Sequence, residues 1–555
     1  MTNAEIADRL ASLAQMLSAQ KENSYKVKAW QRAAATIRTL SDSVEELVRE
    51  EADLTVFAGI GDAISHVIQE IVHTGTSSKL EALRAQAPSE LAGLSAYPRL
   101  DPKRVLRAYK KLGISSIEEL REQLESGKLE EALEAHLAQH VRQGITESHS
   151  MLLYKADQLR AAVEDFLLTV CKVRVVEPAG EYRRRVETIS EICFLIETND
   201  FERVIARLER YGGGTPLLEK NQSTATFAMS AGIQLRIEHA AKENWGLALI
   251  RATGSDAHLR KLTRVAGGWK AIGKAGPFAS ENEFYQTFHM AFIEPELREG
   301  HDEIARAQQG TLPVLVTRKE IRGELHAHST SSDGSNSIEQ MAKAARDLGY
   351  EYIGMTDHSQ SLKIAHGLSE EDMWQQIRFI EKLNHRLDGI RILKSAEVDI
   401  LADGTLDYPD DLLKELDYTV CSVHSRFGFG KQQQTERILR AMDNRWFNIL
   451  GHATGRLLLK RPGYELDMPR LVEHAKSSGC FFEINSSPDR LDLSAENARL
   501  AQSAGVLLAI STDAHSTREF GLVSYGIDQA RRAGVESASV LNCLPWSSLQ
   551  PLFRR

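Results

Sequence analysis

Nine residues of the kinds that hold divalent metals fall within the last 230 positions of the chain: His326, His328, Asp333, His358, Glu397, His424, His452, Asp513 and His515. They sit in short segments, among them Glu324-Leu325-His326-Ala327-His328, Thr356-Asp357-His358 and Thr512-Asp513-Ala514-His515. Most of these segments follow a brief apolar run, as Ile449-Leu450 precedes His452. Imidazole nitrogen mixed with carboxylate oxygen, without thiolate, suits Zn²⁺, Mn²⁺ or Fe²⁺, whereas a structural zinc site normally shows paired cysteines. The set therefore reads as the catalytic metal centre of a hydrolase. Any one of these histidines alone reads as a satisfied core or surface residue; nine of them at the ends of strand-like runs point to a site.

A strand alternates its side chains between two faces, so His326 with His328, and Asp513 with His515, face one cavity from two strands. Metal ions there generate a hydroxide nucleophile and neutralise charge on phosphorus oxygens, so phosphodiester hydrolysis at neutral pH needs no protein nucleophile. Lys363, Arg426 and Arg456 lie beside ligand segments and are candidates for gripping phosphate, Arg being suited to bidentate contact. Their alternative reading is ordinary surface charge. Asp357 beside His358, and Asp399 two beyond Glu397, are candidates for orienting ligand imidazoles or for capping helices.

The order and wording of these segments over residues 321–555 resembles the polymerase and histidinol phosphatase (PHP) family of phosphoesterases. The resemblance implies a distorted, TIM-like α/β barrel with a trinuclear centre at the carboxyl ends of its strands. Carried over position by position, it implies that His326, His328, Glu397 and Asp513 hold one metal. Glu397 then bridges to a second with His424 and His452, and Asp333, His358 and His515 hold the third. The implied cofactors are three divalent ions, Mn²⁺ and/or Zn²⁺, with Fe²⁺ as a further option.

A chain of 555 residues, 42% apolar and 26% charged, is ordinary globular composition and too long for one core, so several domains are expected. Its five cysteines are far apart, with no spacing that frames disulfides or a zinc knuckle, which fits a reducing cytoplasm. The start lacks a basic segment followed by an apolar run, and no apolar stretch is long enough to cross a bilayer, so a soluble cytoplasmic protein is expected. The formal charge of −9 argues against wholesale wrapping of nucleic acid. Local basic clusters nevertheless occur at Lys103, Arg104, Arg107, Lys110 and Lys111 and at Arg183, Arg184 and Arg185, either as binding patches or as solvated faces.

Residues 1 to about 150 read as short helices, with Ile6, Leu10, Leu13 and Leu17 on one face. Gly59 and Gly61 bound a tight turn before an apolar helix, as in a helix-hairpin-helix that offers backbone N–H groups to a phosphate. With Tyr25, Lys28, Trp30 and Arg32 upstream, this region resembles the amino-terminal domain of family X DNA polymerases. Gly180-Glu181-Tyr182-Arg183-Arg184-Arg185 with Ser190-Glu191-Ile192-Cys193 resembles that family's nucleotidyltransferase signature. Thr253-Gly254-Ser255 and Pro295 to Glu299 match later landmarks. Over nearly its whole length the chain resembles a bacterial family X polymerase carrying a PHP domain.

The departures bear on chemistry. Two-metal nucleotidyl transfer needs three carboxylates, and the resemblance puts Glu191, Cys193 and Gln234 at those positions, so two of the anionic ligands are gone. Glu181 replaces a serine where triphosphate is held, and Val67 stands where some members carry a Schiff-base lysine. Tyr97 to Lys103 lies where a second glycine hairpin is expected.

The expected organisation is a helical polymerase-β-like domain over 1–85, helix-hairpin-helix or fingers-like helices over 86–150 and a degenerate palm over 151–240, then a thumb-like part with linker over 241–317 and the barrel over 318–555. The connector is expected at Gln308 to Pro313. The leading functional expectation is a PHP phosphoesterase acting as a 3′-to-5′ exonuclease in DNA repair, on single-stranded or gapped DNA or 3′ ends, with the polymerase region as scaffold. Its DNA-binding candidates are Gly59, Gly61, Lys103 and Arg104. The alternatives are a template-directed polymerase, a small-molecule phosphomonoesterase of the histidinol phosphatase type, and a non-enzymatic DNA-binding module.

Overall fold

The computed structural model describes residues 1–20, 22–86, 97, 100–146, 150–229 and 232–554. Pro98 and Arg99, within the stretch expected to replace a second glycine hairpin, lie outside the described residues. The chain forms two compact units, Met1–Gly310 and Thr311–Arg555, dividing inside the connector expected from its glycine and proline.

The first unit opens with helices Asn3–Ala19, Ser24–Thr39, Val44–Arg49, Asp62–Thr74 and Ser78–Gln86. Ile6, Leu10, Leu13 and Leu17 recur at helical spacing and are all buried in the core these helices share. A second helical cluster, Pro102–Leu112 to Ala135–Thr146, closes over Val105, Leu120 and Leu137. A mixed sheet follows, from β1 (Val175–Ala179), β2 (Glu191–Glu197), β3 (Leu217–Lys220), β4 (Thr224–Ala228) and β5 (Gln234–His239). Its order is β1-β2-β5-β4-β3, with only β2 and β5 parallel. Helices Trp245–Thr253, Asp256–Val265 and Glu281–Thr287 are among those that follow.

The second unit alternates strand and helix, the pattern that builds parallel sheets. Its strands are β6 (Gly323–Ala327), β7 (Tyr352–Met355), β8 (Arg391–Asp399), β9 (Tyr418–Ser422), β10 (Ile449–Leu450), β11 (Phe481–Asn485) and β12 (Leu508–Ser511). They lie in sequence order and every neighbouring pair is parallel. A bridge between Ala327 and Ala514 brings the first strand to the chain just beyond the last, so the sheet nearly closes into a barrel. Glu324 fastens that seam, accepting from Leu325 and His326 N–H at 2.9 Å each and from the Thr512 hydroxyl at 2.7 Å.

The closed end is apolar and the other end polar, and the two-residue period accounts for both. On β8, Leu393 belongs to an inner cluster with Tyr352, Tyr418, Ile449, Phe481, Ala509 and Phe553 of the last helix, Trp546–Phe553. Two and four residues on, the same face carries Ser395 and Glu397. Likewise Phe481 leads to Glu483 and Asn485, and Ala509 leads to Ser511 and Asp513. The opposite faces, such as Ile392, Leu450, Phe482 and Ile510, pack into the larger core with the outer helices. β6 needs one correction to this period, because Leu325 lies in the inner cluster while His326 and His328 lie in the site. The ladder to β7 slips between Glu324 and Ala327, and such an irregularity re-aims the side chains that follow.

Candidate metal centre

All nine ligand-type residues gather at the carboxyl ends of the barrel strands, and Glu397 lies at their centre. Its Oε1 is 2.9 Å from His452 Nε2 and 3.3 Å from His424 Nε2. Its Oε2 is 2.8 Å from His358 Nδ1, 3.4 Å from His326 Nε2 and 3.6 Å from His328 Nε2. Five imidazoles thus share one fully buried carboxylate. Asp513 Oδ1 stands 3.0 Å from His328 and 3.5 Å from His326, while Asp333 Oδ1 stands 3.3 Å from His515 and 3.6 Å from His358.

Atoms close enough to share an ion form three overlapping sets: His326 with His328 and Asp513; His328 with Asp333, His358 and His515; and His358 with Glu397 and His424. His358 and His328 each join two sets, a closer overlap than the one-metal assignment that resemblance implies. The donor set fits divalent cations on a structural ground as well. His328 Nδ1 is buried without a hydrogen bond, and His326 Nε2, His358 Nδ1 and Glu397 Oε2 are buried with no partner outside the cluster, a costly arrangement for polar atoms unless a cation takes their lone pairs.

The electrostatics agree. Burial opposes charge on every group here, but the neighbours override it. Glu397, Asp333 and Asp513 are held well below the usual carboxylate range by the surrounding imidazoles. His424 and His515 are pushed up to about 9 and His358 to about 10 by carboxylates. At His328, burial and the neighbouring His358 win, lowering it to about 4. Protons therefore occupy positions for which a cation competes.

Further residues hold the ligands in place. His424 Nδ1 lies 2.6 Å from Asp399, as expected of an orienting carboxylate. Asp357 does something else: it accepts from Ser329 N–H and hydroxyl, the Ser332 hydroxyl and Gln376, fastening the loop between His328 and Asp333. The sequence reading missed Glu483. It lies 2.7 Å from His326 Nδ1 and accepts the His452 backbone N–H at 2.7 Å. Its place two residues beyond inward-facing Phe481, on an apolar strand, is the signal that marks it. Asp513 and His452 hold left-handed backbone, φ 56° and 26°, which aims their side chains off the regular strand direction.

Of the phosphate-gripping candidates, Lys363 and Arg426 are exposed on the loops that follow His358 and His424. Arg456 is a correction: its guanidinium donates to the Arg490 and Leu491 carbonyls and braces that segment. The braced segment presents Arg490, whose Nε stands 3.6 Å from Asp513. Arg490 is the cation beside the ligands that the sequence reading passed over.

The palm cleft differs. Register sets Glu191 opposite Gln234 and Cys193 opposite Arg236 on β2 and β5, so the three positions are adjacent. Arg236 donates to Glu191 at 2.8 Å and also pairs with Glu238, so its guanidinium lies among the carboxylates. Cys193 is fully buried, and burial pushes its thiol up to about 12. Glu181 accepts both the N–H and hydroxyl of Ser190, at 2.8 and 2.9 Å. A cleft of 780 Å³ persists here, but one carboxylate already paired to arginine, a neutral thiol and an amide do not fit a pair of Mg²⁺ ions.

The Arg183 to Arg185 cluster is also corrected. Arg183 grips Glu281 through two 2.8 Å bonds, Arg184 pairs with Glu299 and Arg185 with Asp157, so these charges are taken up by carboxylates on both sides of the run in sequence rather than standing as an open DNA patch. Gly59 has φ 82° in the turn from Phe57 to Ile60, and Gly61 caps helix Asp62–Thr74, as the hairpin reading requires. Val67 lies on that helix, buried. Lys103 and Arg104 begin helix Pro102–Leu112, while Arg107 and Lys111 of the same cluster pair with Glu134. Among the described residues no helix is long and apolar enough to cross a membrane.

Comparison with known proteins agrees with this geometry. A helix-hairpin-helix domain model matches residues 1–77 and a PHP domain model matches residues 324–487. The DNA polymerase/3′-5′ exonuclease PolX of Bacillus subtilis (strain 168) is 31% identical over an alignment of 574 positions that spans both chains completely. A protein named probable phosphatase from Thermoanaerobacter sp. (strain X514) is 30% identical over 230 residues, 40% of this chain and 89% of that one. Another of that name, from Syntrophotalea carbinolica, is 27% identical over 231 residues, covering 40% and 90%. The chain belongs to the PolX family of DNA polymerase/3′-5′ exonucleases, and its barrel is a PHP domain, the catalytic unit of a hydrolytic enzyme.

Proposed function

We propose that this chain is a metal-dependent phosphodiesterase of DNA, a 3′-to-5′ exonuclease serving repair in the cytoplasm, with its palm acting as scaffold rather than polymerase. The observation that carries the reading is the contrast between Glu397, on which five imidazoles converge, and Glu191, already neutralised by Arg236. The PolX relative bears both activities in its name, and only one of the two sites here offers a complete set of ligands.

The nine ligand residues would hold up to three divalent ions, Mn²⁺ and/or Zn²⁺, or Fe²⁺. Such ions lower the pKa of water and offset charge on phosphate oxygens. In the reaction, water oxygen bonds to the phosphorus of the last diester, the bond from phosphorus to O3′ breaks, and O3′ takes a proton as the nucleoside 5′-monophosphate leaves. Arg490 and Arg426 would hold the diester. Glu483 and Asp399 would keep the His326 and His424 imidazoles aimed. The Gly59 turn, Lys103 and Arg104 would bind the backbone of single-stranded, gapped or 3′-recessed DNA through N–H groups and charge.

Release of nucleotides from 3′-labelled single-stranded and gapped DNA, compared between the wild type and His326→Ala, tests the assignment. Release that depends on His326 is expected, and release unaffected by the change overturns it. Relatives named as probable phosphatases, which match 40% of this chain, favour a second reading as a small-molecule phosphomonoesterase. A strong preference for one sugar or amino-alcohol phosphate over DNA would establish that reading instead. Primer extension with all four nucleotides and Mg²⁺ or Mn²⁺ tests the palm, where no extension is expected.

A further inference from the structure

Two loops at the mouth of the barrel repeat one arrangement that the nine-residue site does not use. After His358 the chain leaves the barrel and returns at Leu368, whose N–H donates to the His358 carbonyl at 2.8 Å. The excursion is pinned: Ser361 N–H and hydroxyl and the Gln360 amide all donate to Asp407, and Tyr408 donates to the Leu368 carbonyl. At its tip stand Lys363 and Ile364, and Ile364 is 90% exposed. Ile364 lies four positions before Leu368, so its Cα lies within about 14 Å of the point where the loop rejoins a ligand strand.

After His424 the second loop carries Arg426, in left-handed backbone at φ 58°, and Phe427, which is 36% exposed. It too is pinned, because buried Arg437 donates to the Ser425 carbonyl at 2.8 Å. Phe427 stacks on Tyr464 with centroids 6.0 Å apart, and the Arg461 guanidinium lies 4.5 Å from its ring. The two parent ligands face each other, with the His358 and His424 rings 5.4 Å apart.

Each loop thus offers a cation followed by an outward apolar side chain, beside a centre suited to a phosphodiester. Exposed Ile on a braced loop gains nothing from folding. The alternation of charge and apolar surface matches a single nucleic acid strand, whose phosphates need cations and whose bases present flat apolar faces. We infer that the Lys363-Ile364 and Arg426-Phe427 loops form a clamp that guides the 3′ end of a single strand to the metal centre, Ile364 and Phe427 touching bases and the cations touching phosphates. The inference rests on the exonuclease reading above.

The test compares full-length wild type, Ile364→Ser, Ile364→Trp and Phe427→Ala on a 3′-labelled single-stranded oligonucleotide and on bis(4-nitrophenyl) phosphate, a diester without bases. Ile364→Ser and Phe427→Ala should each lower the ratio of DNA to small-diester turnover about fivefold to tenfold, chiefly through KM, and Ile364→Trp should lower KM for DNA. Ratios within twofold of wild type in both loss variants, with no gain from Trp, would overturn the clamp while leaving the exonuclease in place. Wild type that cleaves the small diester but not DNA would overturn both.

Discussion

The palm and the barrel each bring acidic residues to the ends of strands, and they treat those residues in opposite ways. In the barrel, Glu397 and Asp513 are surrounded by imidazoles whose buried nitrogens have lone pairs to give. In the palm, Glu191 faces a guanidinium that can donate hydrogen bonds but cannot hold a metal. A carboxylate is a metal ligand only if its neighbours leave room for a cation. Arg236 fills that room in the palm with a charge it cannot lose, whereas the imidazoles around Glu397 can give up their protons to a cation. The strands that carry Glu191, Cys193 and Gln234 remain paired in register, so the difference between the two places lies in side chains rather than in the sheet.

Glu397→Gln should produce the largest effect, because it removes the charge that all five imidazoles share. Hydrolysis of DNA should fall by about a thousandfold or more, and steady-state nucleotide release measures it. The equivalent change at Glu191→Gln should leave hydrolysis within about twofold, and a drop at Glu191 matching that at Glu397 would erase the contrast between the sites.

Asp399→Asn and Glu483→Gln come next. Each leaves the nine ligands in place but weakens the hold on His424 or His326, so metal affinity or activity should fall about tenfold to a hundredfold. Titration of activity against Mn²⁺ measures this, and added metal should recover part of the loss.

The palm should reveal itself in stability rather than turnover. Glu281 is buried between Arg183 and Arg298. Burial disfavours its charge, but the two guanidinium groups hold its carboxyl below the usual value. A depressed folded-state value contributes stability that is present above the unfolded-state value and is lost as pH falls through the folded one. Glu281→Ala should cost the first unit about 3–5 kcal/mol at neutral pH, and the deficit should shrink below about pH 4. Thermal unfolding across that range checks both points. Smallest of all, Cys193→Ala should leave nucleotide release unchanged, since the buried thiol belongs to the palm and not to the metal centre proposed to act.

The barrel was readable in the sequence because its ligands are of rare type and end short apolar runs, so chemistry and period pointed the same way. The helical start was readable for a similar reason, the helical spacing of Ile6, Leu10, Leu13 and Leu17. What escaped was anything decided by pairing between distant residues. Glu483 stands alone between two apolar residues and becomes an orienting group only because β6 brings His326 to it. The Arg183 to Arg185 run looks like a binding patch until Asp157, Glu281 and Glu299, up to 115 residues away, are folded against it. Arg456 braces the segment that brings Arg490 beside Asp513, a pairing with no local signal in the sequence.

Metal content tests the central claim most directly. Elemental analysis of wild type, Glu397→Gln and Glu191→Gln, each purified without added metal, should find near three equivalents in the wild type and in Glu191→Gln, and markedly fewer in Glu397→Gln. Equivalents that fall with Glu191 and persist without Glu397 would contradict the account.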